Sequence, residues 1–339
     1  MNNGYLAAQV TSPGKLELVE RELKEPGPEQ VRIRVEACGI CRTDALTVEG
    51  AFPGIAYPRV PGHEVIGRID AVGSEVANWS VGQRVGVGFM GGPCNVCVSC
   101  RRGDFVNCQQ QSMSGVSSDG GYAEVMLAQA NGLVAIPDAL SSIDAAPLLC
   151  AGLTTFAALR KSKARAGDRV AIFGIGGLGH LGVQFAKYMG FEVVAIARGS
   201  DKQALATQLG AHHYIDSTAV DPAKELQAMG GARLILGTAA NSSALSPLIA
   251  GLAPHGELIV AGAGGPEPIA LNPMLMLFGE RTVSGTMTGT ISDTEDTVAF
   301  TVLQGIRARI ETAPLNDAQR AYQRMMNNEP RFRLVLTMG

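Results

Sequence analysis

The chain has no basic block and no excess of charge of either sign. Lys and Arg number 28 against 31 Asp and Glu, a formal net charge of −3 in 339 residues, and the isoelectric point is near 6.0. That balance argues against nucleic acid or an anionic membrane as partner. The first residues, MNNGYLAAQV, lack the charged segment and apolar run of a secretory signal. Apolar stretches are short or broken by Gly, Pro and charge, so none reads as a bilayer span. Repeats and low-complexity tails are absent. No cysteine follows Cys150, and the total of seven is odd, which points away from a disulfide framework and toward metal. These absences leave a cytoplasmic protein of about two domains, with 46% hydrophobic residues for its cores.

The stretch that is there, and that organises the rest, runs from Asp168 to Ser200. An apolar run at Val170–Phe173 suits a buried parallel strand. Gly174-x-Gly176-x-x-Gly179 follows, then a helical pattern with Leu178, Leu181, Phe185 and Met189 on one side. Gly190 ends that helix, and Glu192–Ala197 reads as a second strand. Such a turn lets backbone approach a pyrophosphate, whose charge sits at the helix N-terminus. Three glycines mean little in a chain with 42; strand, turn, helix and strand in that order predict dinucleotide binding.

Before this stretch the pattern is β-rich. Val31, Ile33, Val35 and Ala37 share one face, with Arg32, Arg34 and Glu36 opposite. Short strands are expected at 64–72, 84–89, 122–128 and 133–136, a helix over 141–149, and helical continuation over 153–159. Beyond it, strands (213–215, 234–237, 258–261, 282–285) alternate with helices (202–209, 223–229, 244–252), which is the signature of a doubly wound parallel sheet. Helices at 295–306 and 317–327 and a strand at 332–336 close the chain.

The most specific local signal is Cys94-x2-Cys97-x2-Cys100-x7-Cys108. Four thiolates within fifteen residues close a tetrahedral zinc site with no position left for substrate, so the site is structural. An iron–sulfur cluster is the alternative those ligands allow. Cys41 in CGICRTD, His63 in PGHEVIG and Cys150 in PLLCAGLTTF are scattered, and each taken singly reads as core or surface rather than ligand. Asp44 and Glu64 are carboxylates of the kind that support metal ligands from behind.

These motifs, with GIGGLG and the terminal RFRLVL, resemble end to end the zinc-containing alcohol dehydrogenases of the medium-chain dehydrogenase/reductase superfamily, especially the bacterial and cinnamyl-alcohol-like members. The resemblance implies an α/β protein in which a GroES-like β-rich catalytic domain, residues 1–150 completed by 287–339, flanks a Rossmann domain at 151–286. It places Cys41, His63 and Cys150 on the catalytic zinc ligands, Glu64 on a carboxylate that can transiently ligate that metal, and Asp44 as partner of the His63 imidazole. Thr43 matches the hydroxyl that takes the alcohol proton. Many relatives carry a relay histidine where this chain has Leu46, so the onward proton route departs from the pattern.

For the cofactor, the resemblance implies Gly174, Gly176, Gly177 and Gly179 at the phosphates, Leu178 behind the nicotinamide, Thr154 on the nicotinamide ring, and Arg42 and Arg333 on the pyrophosphate, where a planar guanidinium suits paired hydrogen bonds. The second strand ends Ala197-Arg198-Gly199-Ser200, without the carboxylate that holds the ribose of NAD. Arg198 offers a cation to a 2′-phosphate, so NADP(H) is favoured over NAD(H). The expected enzyme carries two zinc ions per chain and exchanges hydride between a small alcohol and its aldehyde or ketone. Phe89, Met90, Ile55 and 272–278 are candidate pocket residues. Association through the edge strand at 282–285 predicts a homodimer or homotetramer. A polyol or amino-alcohol dehydrogenase is the runner-up, and a non-enzymatic zinc module or a catalytically inactive relative are the rival classes.

Overall fold

The computed structural model describes residues 4–262 and 267–339; Met1–Asn3 of the N-terminal reading lie outside the described residues. The chain forms two compact units. The first comprises the residues up to Leu153, Thr288–Leu303 and those from Arg307 onward; the second comprises Thr154–Met287 with Gln304–Ile306.

The first unit begins with an antiparallel pair, β1 (Gly4–Ser12) and β2 (Lys15–Glu22). Its main sheet contains β3 (Gln30–Ile40), β4 (Val65–Val72), β5 (Arg84–Val87), β6 (Val125–Gln129), β7 (Leu133–Ala135), β14 (Ile310–Pro314) and β15 (Arg333–Thr337). The order is β14-β15-β3-β4-β5-β7, with β6 also on β3. The length of β3 explains this branching: Gln30–Arg34 pairs with β6, and Ala37–Ile40 pairs with β15. Val31, Ile33 and Val35 join Tyr122, Leu334 and Leu336 in one core. Arg32, on the opposite face, is nevertheless mostly buried, with Nε donating to Asp70 at 2.8 Å.

The second unit is a six-stranded parallel sheet: β8 (Arg169–Phe173), β9 (Glu192–Ala197), β10 (His213–Asp216), β11 (Ala232–Gly237), β12 (Leu252–Val260) and β13 (Thr282–Gly285). Their order, β10-β9-β8-β11-β12-β13, is the 3-2-1-4-5-6 of a Rossmann sheet. Near-continuous apolar runs such as RVAIF and EVVAIA are buried on both faces, as strands covered by helices require. The two-part α/β class expected from sequence is therefore borne out. Among the described residues, no single helix is long and apolar enough to cross a membrane.

Several boundaries differ from expectation for identifiable reasons. The helix expected over 244–252 is two 3-10 turns, Ser243–Leu245 and Pro247–Gly251, because Pro247 cannot donate within a continuing helix. Leu252 instead opens β12. The helix expected from 141 breaks after Ser142–Ala145, becomes a 3-10 turn at Ala146–Leu149, and resumes at Ala151–Lys161. Cys150, at φ −132° and ψ −72°, is the interruption. The strand expected from residue 122 starts at Val125, since Tyr122 is tied elsewhere: its N–H donates to Pro61 O at 3.0 Å and its carbonyl accepts from Ala8 N at 2.8 Å.

Candidate metal centre and dinucleotide turn

The antiparallel pairing of β3 with β4 sets Cys38 opposite Val65, so the residues that leave β3 and those that enter β4 share one end of the sheet. Cys41 follows β3 in extended conformation and opens a 3-10 turn, Arg42–Asp44. His63 and Glu64 precede β4. Cys150 comes from the helix break. The ligand atoms of Cys41, His63, Glu64 and Cys150 all lie within 4.8 Å of one another, and the four residues are buried. The two sulfurs are 3.8 Å apart; two thiolates bound at about 2.3 Å at a tetrahedral angle are separated by about that distance. Among the described residues, His63 Nε2 and Glu64 Oε2 are buried and have no hydrogen-bond partner. Two soft sulfurs, an imidazole and a carboxylate suit zinc, and the orphaned nitrogen and oxygen are what a cation would satisfy.

The surroundings hold these groups in place. His63 Nδ1 lies 2.8 Å from Asp44 Oδ1, leaving Nε2 as the acceptor. Asp44 Oδ2 accepts from Cys41 N and from the Tyr122 hydroxyl, each at 2.8 Å. Phe89 packs edge-on against the imidazole with centroids 5.4 Å apart. Thr43 Oγ1 lies 3.7 Å from Cys41 Sγ. Leu46 is half-buried in the turn of helix that follows. Contact with Cys150 holds the Cys41 thiol well below the usual thiol range, against burial; Cys150 is pushed well up by the same contact and by burial. Burial favours neutral His63, but the Asp44 carboxylate outweighs it and raises the imidazole. Glu64 is pushed up to about 7, chiefly by burial, although Arg333 opposes the shift.

Arg333 opens β15, and the pairing of Leu334 with Ile40 carries it to this centre. Its Nη2 donates to Glu64 Oε1 and, at 3.1 Å, to Ile40 O. Only 5% of it is exposed, so a solvated surface role is excluded. Arg42 is exposed, and its Nη2 donates to Met326 O at 3.1 Å and Asn328 Oδ1 at 3.2 Å.

Cys94, Cys97, Cys100 and Cys108 form a second cluster with sulfurs within 4.8 Å of one another. Backbone N–H groups point at the sulfurs: Cys94 N to Cys108 Sγ at 3.3 Å, Cys97 N to Cys94 Sγ at 3.4 Å, and Gln109 N to Cys97 Sγ at 3.5 Å. Hydrogen bonds from the backbone at Cys100 and Gln109 bring Cys97 down to about 6. Burial pushes Cys100 up to about 12. Donors aimed at several sulfurs are an arrangement for thiolates, and thiolates this close require a cation between them. Cys38, the seventh cysteine, is buried outside both groups.

A cavity of about 320 Å³ lies beside this loop within the first unit, lined by Met90, Phe105 and Ile291 and by the polar Asn95, Gln111 and Glu295. Ile55 is half-buried. In the second unit Asn272 caps the helix Pro273–Gly279, accepting from Met274 N at 2.9 Å.

In the second unit the turn after β8 leads into the helix Gly179–Tyr188. A side chain at Gly179 would come within 1.8 Å of Gly174 O, whereas one at Gly176 would meet nothing within 4 Å. The first explains the tight packing of helix on strand, and the second leaves the backbone open to approach. Gly177 and Leu178 are half-buried beside it, and Thr154 is buried near the start of its helix. At the end of β9, Ala197 is buried and Arg198 exposed. Asp216, paired with Ala197 across the strands, braces this turn. Its Oδ1 accepts from Gly199 N at 2.8 Å and from Thr218 N and Oγ1 at 2.9 and 2.7 Å.

Tyr122 and Asp216 are the two residues that sequence reasoning missed. A buried phenol must find an acceptor, but nothing in the local sequence says which one.

Residues 27–138 match the alcohol dehydrogenase GroES-like domain, and residues 177–302 match the zinc-binding dehydrogenase domain. Alcohol dehydrogenase notN of Aspergillus sp. is 43% identical over 95% of this chain and 94% of its own length. The chain belongs to the zinc-containing alcohol dehydrogenases of the medium-chain dehydrogenase/reductase superfamily. Among solved structures, this alcohol dehydrogenase superimposes on AibC with a TM-score of 0.93 at 28% identity, covering 100% of this chain and 97% of that one. CAD from Helicobacter pylori, complexed with NADP(H), gives a TM-score of 0.88 at 26% identity, with 99% of each chain covered. The protein is thus an oxidoreductase that uses zinc and a nicotinamide dinucleotide on small-molecule alcohols.

Proposed function

We propose that this alcohol dehydrogenase holds two zinc ions per chain and prefers NADP(H) in interconverting a primary or secondary alcohol with its aldehyde or ketone. Cys41, His63 and Cys150 hold the catalytic ion; Cys94, Cys97, Cys100 and Cys108 hold the structural one. The convergence of four buried ligand atoms with an unpartnered His63 Nε2 carries the reading. Zinc supplies a Lewis acid for the substrate oxygen, and the nicotinamide supplies or accepts the hydride.

The chain's own residues do the rest. Asp44 fixes the tautomer of His63. Thr43 takes the alcohol's proton. Glu64, with one oxygen on Arg333 and the other without a partner, is the carboxylate that can exchange onto the metal. Gly174, Gly176, Gly177 and Gly179 admit the pyrophosphate, with Leu178 and Thr154 at the nicotinamide. Arg42 and Arg333 supply its counter-charge. Arg198 supports NADP(H): it is exposed just beyond the end of β9, and Asp216, paired with Ala197, already accepts from three donors.

The seven free cysteines suit a reducing, cytoplasmic compartment. The open edge of β13 supports a dimer or tetramer.

Metal analysis of the purified protein, with kcat/KM for aliphatic, aromatic and polyol substrates on both cofactors, tests all of this. Two zinc ions and higher activity with NADPH are expected. Iron with sulfide would overturn the metal assignment, and a tenfold preference for NADH the cofactor assignment.

A further inference from the structure

The hydrogen bonds behind His63 extend one residue further than the carboxylate. Asp44 has two oxygens and three donors: the imidazole on Oδ1, and the Cys41 N–H and Tyr122 O–H on Oδ2. Tyr122 is fully buried, and burial beside Asp44 pushes its phenol well up, so it stays a donor at every working pH. Its backbone is bound to the segment that delivers His63: Tyr122 N donates to Pro61 O at 3.0 Å and Gly121 N to Gly62 O at 3.1 Å. Its ring fills the space at Gly62, where a Cβ would lie 2.4 Å from Tyr122 Cδ1.

We propose that Tyr122 is a positioning residue for the catalytic metal: its hydroxyl locks the Asp44 carboxylate, which in turn orients the His63 imidazole and supports its basicity toward zinc. The proposal rests on the assignment of Cys41, His63 and Cys150 as zinc ligands. The physical case is one of accounting for donors. Without the hydroxyl, Asp44 Oδ2 keeps only the Cys41 N–H, a buried acceptor loses a partner, and the carboxylate gains freedom to rotate. Partners that contact a ligand directly change metal affinity by about 10- to 100-fold. Tyr122 acts through one such partner, so a smaller effect of about 3- to 10-fold follows.

The test is zinc transfer from the holoenzyme to a chromophoric chelator, with thermal unfolding of each zinc-loaded variant alongside. Wild type is expected to release zinc in two phases, with the four-cysteine ion the slower. Tyr122→Phe should accelerate the fast phase about 3- to 10-fold and leave the slow one unchanged; Tyr122→Met, which also lacks the hydroxyl, should do the same if the Phe variant folds poorly. In an Asp44→Asn background, Tyr122→Phe should add nothing further. An unchanged fast phase in Tyr122→Phe overturns the proposal. So does an equal acceleration in the Asp44→Asn background, which would show that the ring merely packs. Wild type holding only the slowly released ion would instead refute the ligand assignment itself.

Discussion

Glu64 is the residue whose chemistry depends most on its surroundings. Its carboxyl is pushed from 4.5 up to about 7, chiefly by burial. In the zinc-free protein the folded state therefore holds this proton more tightly than the unfolded state does. Its contribution to stability is fully present below about 4.5 and is lost as pH rises through about 7. Chelated Glu64→Gln protein should lack that part of the pH dependence, and comparing Tm against pH for the two chelated proteins checks it. Parallel curves would show that Glu64 is ionised throughout. Thr43 makes a separate prediction. If its hydroxyl is the first proton acceptor, Thr43→Ala raises the barrier to alcohol oxidation by about 2–4 kcal/mol. Near-native oxidation rates in the variant at all pH values would remove Thr43 from the proton path. What could be read at this scale divides by kind of signal. Residue types and spacing single out the four-cysteine loop, because all its ligands are local. Arg333 is different: its place beside Glu64 depends on β15 pairing with β3, a contact between residues almost three hundred positions apart, and no local pattern encodes it.

Elements differ in how much of their geometry lies within their own sequence. The parallel strands were legible because each is a continuous apolar run, and the helix after β8 because its apolar side repeats at helical spacing. The conformation at Cys150 was not legible, since 141–149 reads as a helix that continues helically over 153–159. Pro147 and tertiary packing interrupt it and turn the sulfur toward Cys41. The four-cysteine loop should behave as a self-contained element. Cys100→Ser removes its most buried ligand and is expected to lower Tm and soluble yield, whereas Cys150→Ser should abolish turnover with the fold retained. Calorimetry and activity of the two variants separate the roles; reversed phenotypes would exchange the assignments. The turn after β9 is likewise a local determinant. Ala197→Asp with Arg198→Ile introduces a charge that repels a 2′-phosphate and removes one that attracts it, a combined effect of about ten- to hundredfold in kcat/KM. Steady-state kinetics with both cofactors reads the shift toward NADH, and an unchanged ratio would place Arg198 in solvent.

At the scale of the whole molecule, assembly is the open quantity. Among the described residues of the second unit, β13 has one unpaired edge. On the neighbouring helix Pro273–Gly279, Leu277 is 71% exposed and Phe278 83%; Met287 is 49% exposed. An exposed edge with apolar neighbours favours pairing with another copy. Light scattering should therefore give a multiple of 35.4 kDa; a monomer at working concentration would refute this. The order of elements in the first unit has a further consequence, one that concerns synthesis. The second unit is nearly contiguous, so almost all of it leaves the ribosome before β14 and β15 exist. The first unit, begun earlier, waits with one edge of β3 open along Ala37–Ile40, where β15 later pairs, and with Glu64 lacking its guanidinium until residue 337 has been made. The part of this unit made first is thus the last to mature, and the side chains of the candidate metal centre gain their final counter-charge only once Arg333 has been made.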